Sequence, residues 1–401
     1  MNKKIRLIGV VACLLAVVLL VPMALRVGAV DCGVQAVAVK SPKAVVGSEL
    51  AKNARAALLM DYDSGTIVFE KNATERYPIA SMVKIMTLGC VFDAIHSGVL
   101  DIDTDITVSE NASSMGGSQA FLDANSVYKA GELIKSIVVA SANDSCVALA
   151  EHIAGSVESF VEGMNARAQE LGAVDTNFAN CTGLPAEGAY SCAKDVGAMM
   201  RALLANPEFF EYAKVWMYDI AHPGGRTTAL SNTNKLIRGY NGCDGGKTGF
   251  TNEAMYCLSA TAKRGNTRLI AVTMGERDSK VRNFETAGLL NFGFANFETK
   301  KVVDKEQVME QIAKVSRGKQ EGVQVMPASD WFVFGKKSSN DKITQQIKID
   351  TVQAPVKKGD KVGQIVILSN GAEIASVDIV ALQDIQECGY LDMLQKVLQA
   401  W

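Results

Sequence analysis

A chain of 401 residues is longer than one hydrophobic core usually serves, so two folded domains with terminal appendages are expected. Its formal net charge of −2 lacks the basic excess that phosphate neutralisation demands, which excludes nucleic acid as a partner. The 48% hydrophobic content is concentrated at the N-terminus and does not recur in a later run of membrane length, so at most one segment crosses a bilayer.

The chain opens with Lys3, Lys4 and Arg6 and continues as an apolar run from Leu7 to Leu25, broken only by Gly9 and Pro22. This is the layout of an export signal, with Ala36 and Ala38 offering an A-x-A cleavage site within residues 1–38. The run is longer than a typical signal core, so its retention as an anchor stays open. Either outcome keeps the positive flank cytoplasmic and puts the body across the membrane. Export favours paired cysteines, yet Cys90, Cys146 and Cys257 lie in apolar stretches, where a thiol behaves as a small core residue. A Cys181–Cys192 disulfide stays open. With no C-x-x-C pair and only His96, His152 and His222, no metal or other cofactor is expected.

Residues 39–55 read as a linker. Ala56 to Met60 and Thr66 to Phe69 then flank Asp63-Ser64-Gly65 as a hairpin. From Ser81 the pattern is helical, with Met82, Val83, Ile85, Met86 and Leu88 leading to Val91, Phe92 and Ile95, and Gly98 marks its end. Further helices are predicted over Gly131 to Ile153, Val157 to Leu171 and Ala193 to Leu204. Strands follow over Gly246 to Thr251, Met255 to Ala262 and Arg268 to Met274, and then a helix from Val281 to Phe297. Residues 56–300 thus read as an α+β domain, a helical cluster packed on an antiparallel sheet. Beyond Lys300 the runs Ile343 to Ile349, Val362 to Leu368 and Ala375 to Leu382, with a turn at Ser369-Asn370-Gly371, predict a small, mostly β domain over residues 301–386. It is either a spacer or interaction module, or a packing partner. In residues 387–401, Tyr390, Leu391, Leu394, Val397, Leu398 and Trp401 recur at three- and four-residue steps opposite Asp392, Gln395, Lys396 and Gln399. That amphipathic helix is too short to span a membrane. It would lie on a membrane surface or pack on the β domain.

Ser-x-x-Lys puts a hydroxyl and an amine one helical turn apart, close enough for the amine to take the hydroxyl proton. The pattern starts at Ser81, Ser126, Ser191, Ser316 and Ser339, so context must choose. Only Ser81 stands where a polar turn, Tyr77-Pro78-Ile79-Ala80, gives way to an apolar helix, whose N-terminus would stabilise an oxyanion. Ser141-Ala142-Asn143 follows the apolar run Ile137 to Ala140, and Lys247-Thr248-Gly249 heads a strand after Gly245-Gly246. Ser81-x-x-Lys84, Ser141-x-Asn143 and Lys247-Thr248-Gly249 together are the three-part signature of the penicillin-recognising serine enzymes.

Over roughly residues 50–385 the chain resembles the low-molecular-mass D-alanyl-D-alanine carboxypeptidases within that superfamily. The phrases that carry the resemblance are Tyr77-Pro78-Ile79-Ala80-Ser81-Met82-Val83-Lys84, Ser141-Ala142-Asn143-Asp144 and Asp244-Gly245-Gly246-Lys247-Thr248-Gly249-Phe250-Thr251. Ala142 stands where that family commonly has glycine, and Phe250 where it often has a polar residue or histidine. The resemblance implies a β-lactamase/transpeptidase-like catalytic domain, a peptidoglycan stem peptide as substrate, β-lactam antibiotics as covalent inhibitors, and work at the outer face of the cytoplasmic membrane or in the cell wall. It further implies Ser81 as nucleophile, Lys84 as its base and Ser141 as proton relay. Asn143 would orient the substrate amide, and the amides of Ser81 and Phe250 would form the oxyanion hole. Lys247, Thr248 and Thr251, beside Gly249, would hold the terminal carboxylate. Arg277 is a weaker candidate for that last task, with a solvated salt bridge as its alternative. A β-lactamase needs a group that activates water against the acyl-enzyme, and Glu187 lacks the usual Glu-x-x-Leu-Asn context. A non-catalytic wall-binding or regulatory protein has no use for a base beside a serine.

Overall fold

The computed structural model describes residues 49–399 and the short strands Gln35–Ala38 and Val45–Val46. The expected export segment from Lys3 to Leu25 lies outside the described residues, as does Trp401. Gln35–Ala38, which includes the A-x-A site, pairs in parallel with Trp331–Phe334. Among the described residues no helix is long and apolar enough to cross a membrane.

A six-stranded sheet organises the first half of the chain, in the order Val45–Val46, Ile67–Lys71, Ala56–Asp61, Thr267–Glu276, Met255–Arg264, Cys243–Thr251. Its inner strands are buried on both faces because side chains alternate between two cores. Ile270, Val272 and Met274 join Leu58 and Met60 against the helical cluster. Leu269 and Ala271 join Leu59 against Leu289, Leu290 and Phe294 of the helix Ser279–Asn296. Each such aliphatic side chain contributes about 1.5–3 kcal/mol on burial. The opposite cluster centres on the helix Lys84–His96, which packs on Val157–Glu170 and Ala193–Leu203. Cys243–Thr251 is the last strand in the order, so one of its edges has no strand partner in the sheet.

Three sequence expectations change. The helical pattern from Ser81 begins as a 3-10 turn, Ala80–Val83, and becomes α-helical only at Lys84. The single helix expected over Gly131 to Ile153 is two, Ala130–Ala140 and Asn143–Ala154, broken at Ser141, whose φ is +64°. The apolar spacing runs through the break because both halves bury residues in the same core, so periodicity alone cannot see it. The short hairpin Met217–Ala221 with Thr227–Ser231 is an addition to the expected elements; each strand buries a single residue, Ile220 and Leu230, and so leaves little alternating pattern. Cys181 and Cys192 are both free and buried, so the disulfide left open by the sequence is not formed.

From Phe297 the chain is mostly β. Phe297–Val303 and Trp331–Lys336 form a small sheet with Gln35–Ala38. A second six-stranded sheet contains Ile343–Ile349, Lys361–Ser369 and Ala372–Ala381, the last two joined by a turn in which Asn370 and Gly371 both have positive φ, 51° and 85°. Its core is separate, built from residues such as Val323, Val325, Ile365, Ile367 and Ile379.

Asp61 ends an inner strand fully buried, with Oδ2 accepting from the Ser64 amide and hydroxyl and Oδ1 without a partner. Burial, opposed by the Ser64 bonds and aided by Asp63, pushes its carboxyl from 3.8 up to about 7. A raised folded-state value means the fold favours the protonated acid. The stabilisation is therefore present below about pH 4 and lost as the pH rises to about 7. Asp61→Asn should raise the melting temperature at pH 8 by at least about 2 °C, and this gain should shrink towards pH 4.5 in thermal scans.

Candidate functional site

Ser81 sits in the Ala80–Val83 turn where the polar approach meets the helix Lys84–His96. Ala80, just before it, has φ +48°, a left-handed conformation that carries about 1–3 kcal/mol of strain in a residue other than glycine. The turn is wedged between two glycines. A Cβ on Gly183 would lie 2.0 Å from the Ala80 carbonyl oxygen, and one on Gly249 would lie 2.6 Å from that of Ile79. Side chains at either position would expel the turn that presents Ser81.

One turn further on, Lys84 is fully buried, and its Nζ donates to Ser81 Oγ at 3.1 Å, Asn143 Oδ1 at 2.6 Å and the Thr182 carbonyl at 2.5 Å. None of the other four Ser-x-x-Lys pairs shows a hydroxyl–amine contact. Ser191 Oγ bonds Thr176 Oγ1, and Ser316 Oγ donates to the Val352 carbonyl. Asn143 is held in turn, its Nδ2 donating to the Gly116 carbonyl at 2.7 Å. The neighbouring Asp144 carboxylate accepts from the amides of Ala120 and Leu122, which anchors the 116–122 loop over this corner.

The left-handed backbone at Ser141 turns its hydroxyl to meet Lys247, whose Nζ donates to Ser141 Oγ at 2.8 Å and to the Thr248 carbonyl at 3.2 Å. Thr248 Oγ1 donates to Thr233 Oγ1. Burial pushes both lysines below the ordinary amine range. At Lys247 the positive charges of Lys84 and Arg282 act in the same direction. Two ammonium groups in one dry cleft oppose each other unless an anion joins them. Cys146, buried nearby, is pushed up to about 11 by desolvation and stays a neutral thiol.

Phe250 is half exposed and lies against Tyr256, with centroids 4.3 Å apart and the rings tilted by 33°. Thr251 does not join Lys247. It lies four residues further along the strand, about 13 Å at the usual rise, and its hydroxyl accepts from the Ala254 amide. Arg277 is also outside the cluster, exposed and paired with Asp278 at 3.7 Å. Sequence reasoning missed Thr182, whose carbonyl is unmarked in any motif, and Arg282, a buried guanidinium whose field reaches Lys247. Beside the Ala80–Val83 turn opens a cavity of about 490 Å³ between Ile79–Ala80, the 177–190 loop and Thr251–Glu253.

Residues 42–278 match the D-alanyl-D-alanine carboxypeptidase family, and residues 297–387 match the C-terminal domain of penicillin-binding protein 5. A D-alanyl-D-alanine carboxypeptidase of Bacillus subtilis, DacF, is 37% identical over 88% of this chain and 91% of its own length. DacC of Escherichia coli is 32% identical over 84% and 86%. The structure of penicillin binding protein 5 from Haemophilus influenzae superposes with a TM-score of 0.66 at 32% identity, covering 86% of this chain and all of that one.

The wedge gives a direct test. Gly183→Ala should lower the melting temperature and slow reaction of Ser81 with a fluorescent penicillin by about 100-fold, the scale expected of a 1 Å misplacement. Stopped-flow labelling and a thermal scan read both.

Proposed function

The chain belongs to the D-alanyl-D-alanine carboxypeptidase family, and on that premise we propose that Ser81 is the nucleophile, Lys84 its base and Ser141 the relay to the leaving amine. The enzyme is a serine-type carboxypeptidase of the penicillin-binding kind, with peptidoglycan as substrate class and β-lactams as ligands. The observation that carries the residue assignment is the convergence of two hydroxyl–amine pairs, Ser81–Lys84 at 3.1 Å and Ser141–Lys247 at 2.8 Å, in one buried cleft.

The substrate on this reading is the stem pentapeptide ending in D-Ala-D-Ala. Its terminal carboxylate supplies the anion the cleft lacks, docking at Lys247 and Thr248 and favouring the charged form of Lys247. That charge then disfavours an ammonium at Lys84, which becomes the neutral base. Ser81 Oγ attacks the carbonyl between the two D-alanines and passes its proton to Lys84, while the amides of Ser81 and Phe250 hold the developing oxyanion. Asn143 orients the substrate amide and fixes Lys84. As the C–N bond breaks, the proton held by Lys84 passes through Ser141 to the departing amine. Lys84, neutral again, takes a proton from the water that attacks the ester and returns it to Ser81 Oγ as the ester C–O bond breaks. Gly249 lets the strand close on the turn. Thr251 is placed on the acyl side of the scissile bond and Arg277 is left to the surface.

Residues 56–300 thus carry the chemistry, and residues 301–386 are proposed as a spacer from the membrane. The helix Tyr390–Gln399 would rest on the outer leaflet of the cytoplasmic membrane after export. Supporting this, Tyr390, Leu391 and Leu398 are 84%, 77% and 70% exposed, whereas Lys396 donates to the Gly318 carbonyl of the β domain. These three apolar side chains therefore are not spent on packing.

Ser81→Ala should abolish penicillin labelling and D-alanine release. An adduct that persists on Ser126 or Ser191 would overturn the assignment. Lys84→Arg should slow acylation by at least about 1,000-fold, because a guanidinium keeps its proton, while Lys247→Arg should mainly raise KM. For the tail, residues 39–401 should sediment with anionic liposomes and resist release by high salt, and residues 39–385 should stay in the supernatant. Both staying in solution would remove the tail as an anchor.

A further inference from the structure

The cavity beside Ser81 has a place in the reaction that follows from the direction of the edge strand. Lys247 and Thr248, assigned to the terminal carboxylate, lie at one end of the site, and Thr251 and Glu253 lie past Phe250 at the other. An extended peptide added to this unpaired edge with its C-terminus at Lys247 runs antiparallel to the strand. Its scissile carbonyl then falls at Ser81 and Phe250, and the residue upstream of D-Ala-D-Ala falls beside Thr251 and Glu253. That residue faces the 490 Å³ cavity, whose far wall is the loop that also supplies Thr182 to Lys84.

The wall is chemically one-sided. It contains two carboxylates, Glu187 and Glu253, and no lysine or arginine. Neither carboxylate has a hydrogen-bond or ion-pair partner among the described residues. Two guanidinium groups beside this region are otherwise engaged. Arg76 pairs with Asp175 at 2.8 Å and lies over the Tyr190 ring, while Arg55 donates to the Glu253 carbonyl and to Met255. Resting on the carboxypeptidase reading above, we propose that this cavity is the subsite for the residue upstream of D-Ala-D-Ala, and that Glu187 and Glu253 select a side chain ending in a free ammonium. A diamino acid whose distal amine is uncapped meets that requirement, and the same residue with its amine acylated does not.

The test uses two peptides, Nα-acetyl-L-Lys-D-Ala-D-Ala with a free ε-amine and the same peptide with that amine acetylated. D-alanine release by the wild-type protein at low salt should favour the free amine in kcat/KM by about three- to ten-fold, the scale of one or two solvent-accessible ion pairs. In Glu187→Gln/Glu253→Gln the ratio should fall towards one, and in Glu187→Lys it should invert. Equal kcat/KM for the two peptides in the wild type overturns the subsite without reference to any variant, as does a ratio that survives the double substitution. If Glu187→Gln slows both peptides alike and leaves the ratio intact, the carboxylate acts on the hydrolytic water and the ammonium subsite is wrong. Failure to release D-alanine from either peptide, with no penicillin adduct, overturns the underlying carboxypeptidase reading instead.

Discussion

A buried lysine is the constraint on which the rest of this site depends. Lys84 Nζ reaches a serine on its own turn, an asparagine at the head of another helix and a carbonyl in the 177–190 loop. An amine stripped of water needs polar partners, and removing any one of these leaves a desolvated donor at a cost of about 1–3 kcal/mol. The need for satisfaction therefore locks three chain segments, far apart in sequence, into one geometry. The same burial that requires those partners also lowers the proton affinity of the amine. Structure and reactivity come from one cause.

The second lysine makes the cleft responsive. Lys247 shares the dry space with Lys84 and is held by neutral oxygens alone, those of Ser141 and Thr248. In the proposed mechanism an arriving carboxylate would change the charge balance of both amines at once, coupling binding to base activation through low-dielectric space. The break at Ser141 matters here. The helix ends at this left-handed residue, and its hydroxyl accepts from Lys247.

The sheet contributes an edge as well as a core. Its inner strands are sealed between two apolar layers, and its last strand keeps an unpaired side. An open edge invites strand addition, a hazard for most proteins and a docking rail for an extended peptide substrate. The second sheet, with a separate core, brings no group to this cleft.

The sequence by itself determined the enzyme class and much of the fold class. Ser81 with Lys84, Ser141 with Asn143, and Lys247 with Thr248 were legible because their spacing in the chain reflects local helix and strand geometry. The paired strands from Met255 to Met274 were legible because period-two burial leaves a direct trace. Only the tertiary structure decided which elements meet. That Thr182 offers its carbonyl to Lys84 follows from loop placement, to which a backbone oxygen contributes no sequence signal. That Thr251 and Arg277 stand apart from Lys247 follows from strand rise and from a chain that turns outward after Glu276. The break at Ser141 escaped the periodicity because hydrophobic spacing reports which residues are buried, not how the backbone between them turns.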